Sequence, residues 1–253
     1  MDPAIRCAVV APAIDTTFPH YWRAEILSAR PAILPARRYV YPRDVEEVER
    51  GALEVLVHPQ VPAQPGCPRS VASGDQRSTE AFEAGAGCPR SLAPGDRGRD
   101  SRVFEARGEL DPQPFLATCA LGFRDPAAPT GVWSAPNPRE LCAIAGGYAY
   151  VIDTAAPERF TMIEFRPVLA VRPAPEHDLL LFVGHRSILA WGHGGLAWQS
   201  EKLSDEGVTI TGIDGGVLRG MGWKMTTDKE TPFAIDMKTG RRIAAEIARR
   251  MID

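Results

Sequence analysis

Two histidines, His185 and His193, stand beside glycines on either side of the short apolar run Ser187 to Trp191, and Asp205 and Glu206 follow a few residues on. Two imidazoles and a carboxylate can hold a divalent zinc, iron or manganese ion and activate a water. A metal-assisted hydrolase built on His185, His193 and Asp205 is therefore one expectation. The spacing contains neither HExxH nor HxH. The competing expectation is that both imidazoles cap strand ends and bond to turn backbone. Apart from such a metal, no cofactor is expected.

A second group, Trp191, Trp198 and Trp223, supplies large amphipathic rings that line ligand pockets and interface centres. These three are the candidate ligand-binding residues, against the alternative that they pack between strands with their N–H groups satisfied. The acidic turns Ser204-Asp205-Glu206-Gly207 and Thr227-Asp228-Lys229-Glu230 could place a general acid and base across a cleft, although exposed acidic turns are common in β-proteins. Gly146-Gly147 with Tyr148 and Tyr150 has no helix pattern after it, so it is a hairpin turn rather than a phosphate loop. No nucleophile elbow, Walker loop, dinucleotide fingerprint or kinase signature occurs.

The elements that must position these groups are strands. Short runs rich in Val, Ile, Phe, Tyr and Trp fall at Leu116 to Phe123, Leu141 to Ala145, Tyr148 to Asp153, Thr161 to Phe165 and Val168 to Val171. They continue at Leu179 to Val183, Ser187 to Trp191, Leu196 to Gln199, Thr209 to Ile213, Val217 to Trp223 and Phe233 to Asp236. Gly146-Gly147, His193-Gly194-Gly195 and Asp214-Gly215-Gly216 supply the turn chemistry between them. The spacing leaves no room for crossover helices, which predicts mainly antiparallel pairing. Upstream, Arg38 to Tyr41 and Leu53 to His58 read as strands around a short helix near Val45 to Gly51, and another short helix is expected over Tyr21 to Ser28. The tail RRIAAEIARRMI places Ile243, Ile247 and Met251 on one stripe, predicting a C-terminal helix docked on the sheet.

Within LLLFVGHRSILAWGHGGLAWQSEKLSDEGVTITGIDGGVLRG, an apolar strand, a strand ending in Ala190-Trp191, a Gly-rich turn and Gly195 to Ser200 precede another hairpin. This resembles blades of quinoprotein-type or WD-repeat β-propellers, over about Leu141 to Gly240. Phe233-Ala234-Ile235-Asp236-Met237-Lys238-Thr239-Gly240 is similar to the blade-closing turn of such repeats. The chain as a whole resembles uncharacterised bacterial β-proteins, which implies no activity. A propeller needs at least about four blades of four strands, and these strands suffice for fewer. The expected fold is mainly β: an open antiparallel sheet or two-sheet sandwich of blade-like hairpins, with short N-terminal and C-terminal helices.

GCPRSVASGD at Gly66 to Asp75 returns as GCPRSLAPGD at Gly87 to Asp96, and Phe82-Glu83-Ala84 returns as Phe104-Glu105-Ala106. Two copies dominated by Gly, Pro, Ser and charged residues cannot build a stacked repeat core. Residues 61–110 are therefore expected to be a low-complexity insertion, similar to translated interspersed genomic repeats, with the flanking strands neighbouring each other. It divides an N-terminal part, 1–60, from the main β domain, 111–253. The five cysteines include no CxxC pair, so free thiols are expected; Cys67 and Cys88 match because they were duplicated together. With 29 Lys and Arg against 32 Asp and Glu, the net charge of -3 offers no field for nucleic acid or an anionic membrane. The apolar start at Cys7 to Ile14 is broken by Pro12 and is too short for a signal peptide or a span, which predicts a cytoplasmic protein. Together these features favour a non-enzymatic β-sheet module binding a protein partner or small ligand, with the metal-assisted hydrolase as the alternative.

Overall fold

The computed structural model describes residues 13–29, 32–42, 52–61, 113–123 and 128–243. Their sixteen strands are β1 (Ala13–Asp15), β2 (Trp22–Leu27), β3 (Arg37–Tyr41), β4 (Leu53–Pro59), β5 (Phe115–Cys119), β6 (Gly131–Ser134), β7 (Glu140–Ala145) and β8 (Tyr148–Asp153). They continue as β9 (Phe160–Met162), β10 (Ala170–Ala174), β11 (Leu179–Val183), β12 (Ile188–Gly192), β13 (Gly195–Gln199), β14 (Val208–Asp214), β15 (Val217–Lys224) and β16 (Lys229–Asp236). A three-residue 3-10 turn, Pro175–His177, joins β10 to β11.

The strands form four sheets in place of one open sheet or a two-sheet sandwich. Sheet I has the order β2-β4-β5-β3, sheet II β1-β6-β7-β8-β9, sheet III β10-β11-β12-β13 and sheet IV β14-β15-β16. Pairing is antiparallel except where β1 meets β6 and β3 meets β5. β4 and β5 are direct neighbours, with Val57 opposite Phe115, so the two strands flanking the duplicated decapeptides pair as the sequence predicts. The decapeptides themselves, the expected helix near Val45 to Gly51 and the tail beyond Ile243 lie outside the described residues.

Packing follows from alternation. On sheet II, Leu141, Ala143, Tyr150 and Ile152 face Val55, Val57 and Phe115 of sheet I. The intervening residues Cys142, Ile144, Ala149 and Val151 face Leu180, Phe182 and Leu189 of sheet III. Sheet III turns Leu179, Leu181, Ile188 and Ala190 toward Leu218, Phe233 and Ile235 of sheet IV. A strand covered on both faces must be apolar at every position, which is why β11 reads LLLFV and is buried throughout. Among the described residues, no core cluster joins sheet IV to sheet I.

The helix expected over Tyr21 to Ser28 is strand β2 instead. Its residues Arg23, Ala24, Glu25 and Leu27 suit a helix by propensity, but Trp22, Ala24 and Ile26 alternate onto the core beside β4. Burial on one face with a period of two outweighs weak helix propensity. Two further strands, β1 and β6, escaped the pattern reading because they are short and glycine- or proline-flanked.

Candidate binding cleft

The hairpins give the sheets two loop-bearing ends. One carries Gly146-Gly147 between β7 and β8, Gly184 to Ser187 between β11 and β12, and Met225 to Asp228 between β15 and β16. The connections β9 to β10 and β13 to β14 return to this His185 end. Backbone hydrogen bonds stitch its loops together: Phe123 N–H to Gly146 O at 2.7 Å, Val168 N–H to Gly147 O at 2.9 Å and Leu203 N–H to Arg186 O at 2.7 Å. The Met225 N–H then donates to the Asp205 carboxylate at 2.8 Å.

Within this end lies a cleft of about 680 Å³ lined by Phe165, Arg166, His185, Arg186, Asp205 and Met225, among others. His185, Arg166 and Arg186 are exposed, and Met225 is 67% exposed. Gly184 lets the Phe165 ring approach the β11–β12 turn, since a methyl group there would lie 2.7 Å from the ring. Asp205 forms a salt bridge with Lys202, and hydrogen bonds from that lysine and from the Met225 N–H hold its carboxyl below the usual carboxylate range.

The proposed metal set is thus only partly assembled. His185 and Asp205 share this cleft, whereas His193 follows β12 at the opposite end of sheet III. The five residues of β12 stand between the histidines and alone span roughly 13 Å, far beyond the roughly 4 Å that two ligands of one ion allow at about 2.1 Å each. Among the described residues no group of three His, Cys, Asp or Glu side chains is placed to hold a metal ion.

The tryptophans are also separated. Trp191 packs between sheets II and III, and its Nε1–H donates to Glu140 Oε2 at 2.9 Å. Trp198 sits on the other face of sheet III, with its Nε1–H donating to Met237 O at 2.8 Å. Trp223 is half-buried and donates to Asp228 Oδ1 at 3.2 Å; alternation turns it away from the face of sheet IV that carries Leu218. The three indoles line no common surface, and each N–H has a protein acceptor. The acidic turns are structural in the same sense: Ser204 Oγ donates to Trp223 O and accepts the Glu206 N–H.

The His193 end holds a cavity of about 600 Å³ lined by Glu140, Asp153, Glu158, Arg159 and Phe160, among others. Glu140 ties three sheets: its backbone O accepts the Trp22 Nε1–H from sheet I at 3.0 Å, while its carboxylate accepts from Trp191 of sheet III. Burial raises the Glu140 carboxyl above its ordinary value; the Trp191 and Asn137 hydrogen bonds oppose this, Asp153 adds to it and His193 subtracts. Asp153 itself pairs with Arg159 at 2.7 Å.

Residues not singled out from the sequence complete the His185 end. The Arg166 guanidinium carbon lies 5.1 Å from the centre of the Tyr148 ring, and the Phe123 ring stands nearly perpendicular to that ring, with centroids 5.6 Å apart. Tyr148 was visible only as a residue following a Gly-Gly turn; nothing local announces that Arg166, eighteen positions later, would stack on it. No family model matches this chain, and neither a curated protein nor a solved structure matches it.

Proposed function

We propose that this chain is a non-enzymatic β-sheet binding module in which the sheets serve as a row of propeller-like blades and the loops of the His185 end meet a protein partner. The observation that carries the reading is the convergence of loops from sheets II, III and IV on one cleft, with Phe165, Arg166, His185, Arg186 and Met225 at its surface. Recognition residues concentrate on loops held by a rigid scaffold, and each loop here is fixed to its neighbour by a hydrogen bond. Among the described residues no buried side-chain polar atom lacks a partner, which favours recognition at the surface over an internal ligand. A cytoplasmic location fits the free, buried thiols of Cys119 and Cys142 and a set of described residues with no helix long and apolar enough to cross a membrane.

The test immobilises the full chain and compares partner retention by the wild type, by a His185→Ala, Arg186→Gln, Met225→Ala variant, and by Arg159→Ala at the opposite end. Retention lost in the first variant and kept in the second supports the reading. Retention that follows Arg159, or that ignores both changes while the variants stay folded, refutes it.

A further inference from the structure

We infer that Arg166 is the anchor for a carboxylate on the partner, the side chain of an acidic residue whose apolar neighbour covers Leu121 and Phe123. The inference rests on the binding role of the His185 end and adds the chemistry of what it meets. Arg166 is exposed and forms no salt bridge with any carboxylate of the described residues. Its guanidinium is nonetheless held, because it lies over the Tyr148 ring in a cation–π contact. Tyr148 is fixed in turn by an edge-to-face contact with Phe123 and by the bare backbone of Gly122, where any side chain would strike the ring. The segment after Arg166 is pinned at both neighbouring sheets, by Val168 N–H to Gly147 O at 2.9 Å and Leu169 N–H to Val183 O at 2.7 Å.

A stacked guanidinium keeps its N–H edges for a planar acceptor and loses little freedom when it pairs with a carboxylate. Beside it, Phe123 is 43% exposed and Leu121 36% exposed, so a cation and an apolar patch adjoin. Arginine and aromatic rings dominate the centres of protein interfaces. Among the described residues the other charged groups do not supply that acceptor. Asp205 is occupied by Lys202 and the Met225 N–H, and Glu206 lines the same cleft without a salt bridge to Arg166. Glu164 is exposed two positions before Arg166 and forms no salt bridge with it, and the guanidinium of Arg186 lines the same cleft.

The experiment titrates the full chain with N-acetyl-Phe-Glu-amide and with N-acetyl-Phe-Gln-amide, following the Arg166 Nε–H and the Phe123 and Tyr148 amides by NMR. The glutamate peptide should bind up to about fivefold more tightly, the ratio that corresponds to the upper range for an exposed ion pair. Arg166→Gln should abolish the preference, Arg166→Lys should restore only part of it, and Arg159→Gln at the opposite end should leave it unchanged. Equal affinities for the two peptides, no saturable shift, or a preference that survives Arg166→Gln would overturn the inference. Partner retention that needs the cleft residues but ignores Arg166→Gln would overturn the anchor while leaving the binding role of this end standing.

Discussion

Gly240→Ala should destabilise the protein by an amount that divides into two separable parts. Gly240 has φ +69°, and a residue with a Cβ in that left-handed region costs about 1–2 kcal/mol. Its added methyl would lie 2.5 Å from Cε3 and 2.6 Å from Cδ2 of Trp198. The indole cannot retreat freely, because it is buried between sheets III and IV and its Nε1–H is bonded to Met237 O. Forcing extra volume into such a site costs about 1–3 kcal/mol, so the total is about 2–5 kcal/mol. The turn gives way no more easily. Asp236 Oδ1 accepts the N–H groups of Lys238 and Thr239, Met237 N–H bonds to Gly216 O, and Gly240 N–H bonds to Asp236 O. Urea unfolding of Gly240→Ala in the wild-type and Trp198→Leu backgrounds separates the parts. The Trp198→Leu background should reduce the cost of Gly240→Ala to the backbone part of about 1–2 kcal/mol. An equal cost in both backgrounds would refute the steric account, and a cost below about 1 kcal/mol in the wild type would refute the whole argument.

Glu140→Gln should flatten the pH dependence of stability on the alkaline side of the carboxyl's ordinary value of 4.5. With its pKa raised by folding, the native state binds more protons than the unfolded state in that window, so stability falls as pH rises through it. A neutral amide keeps an acceptor for the Trp191 N–H and removes the titration; thermal unfolding across pH 4 to 8 would show the slope unchanged if the assignment is wrong. The His185→Ala, His193→Ala variant should unfold within about 0.5 kcal/mol of the wild type, since both side chains are exposed and lie at opposite ends of β12; a large loss together with stoichiometric bound zinc would contradict the separation. Gly184→Ala should displace the Phe165 ring, which lies 2.7 Å from the added methyl, and weaken partner retention more than it lowers the unfolding midpoint. The reverse order would argue that Phe165 serves only packing.

Much of the fold was legible one strand at a time. Tyr148–Asp153 and Leu179–Val183 match the pattern reading at both ends, because apolar runs closed by Gly-Gly or αL turns declare a hairpin locally. The DMKTG segment also announced its turn: Asp236 supplies the side-chain acceptor and Gly240 the left-handed residue. β2 was misread because its residues favour a helix individually, and only the neighbouring β4 made a strand the better way to bury Trp22.

The sequence by itself determined the β class, the hairpin order and the pairing of the strands that flank the duplicated decapeptides, since all of these follow from periodicity and turn chemistry within a few residues. Tertiary structure alone decided that the described strands form four sheets, that Trp191 and Trp198 face opposite ways, and that His185 and His193 lie apart while Arg166 meets Tyr148. Those outcomes depend on which face of one strand finds which face of another. A one-residue step along a strand reverses the face, and no local composition records the direction of the partner.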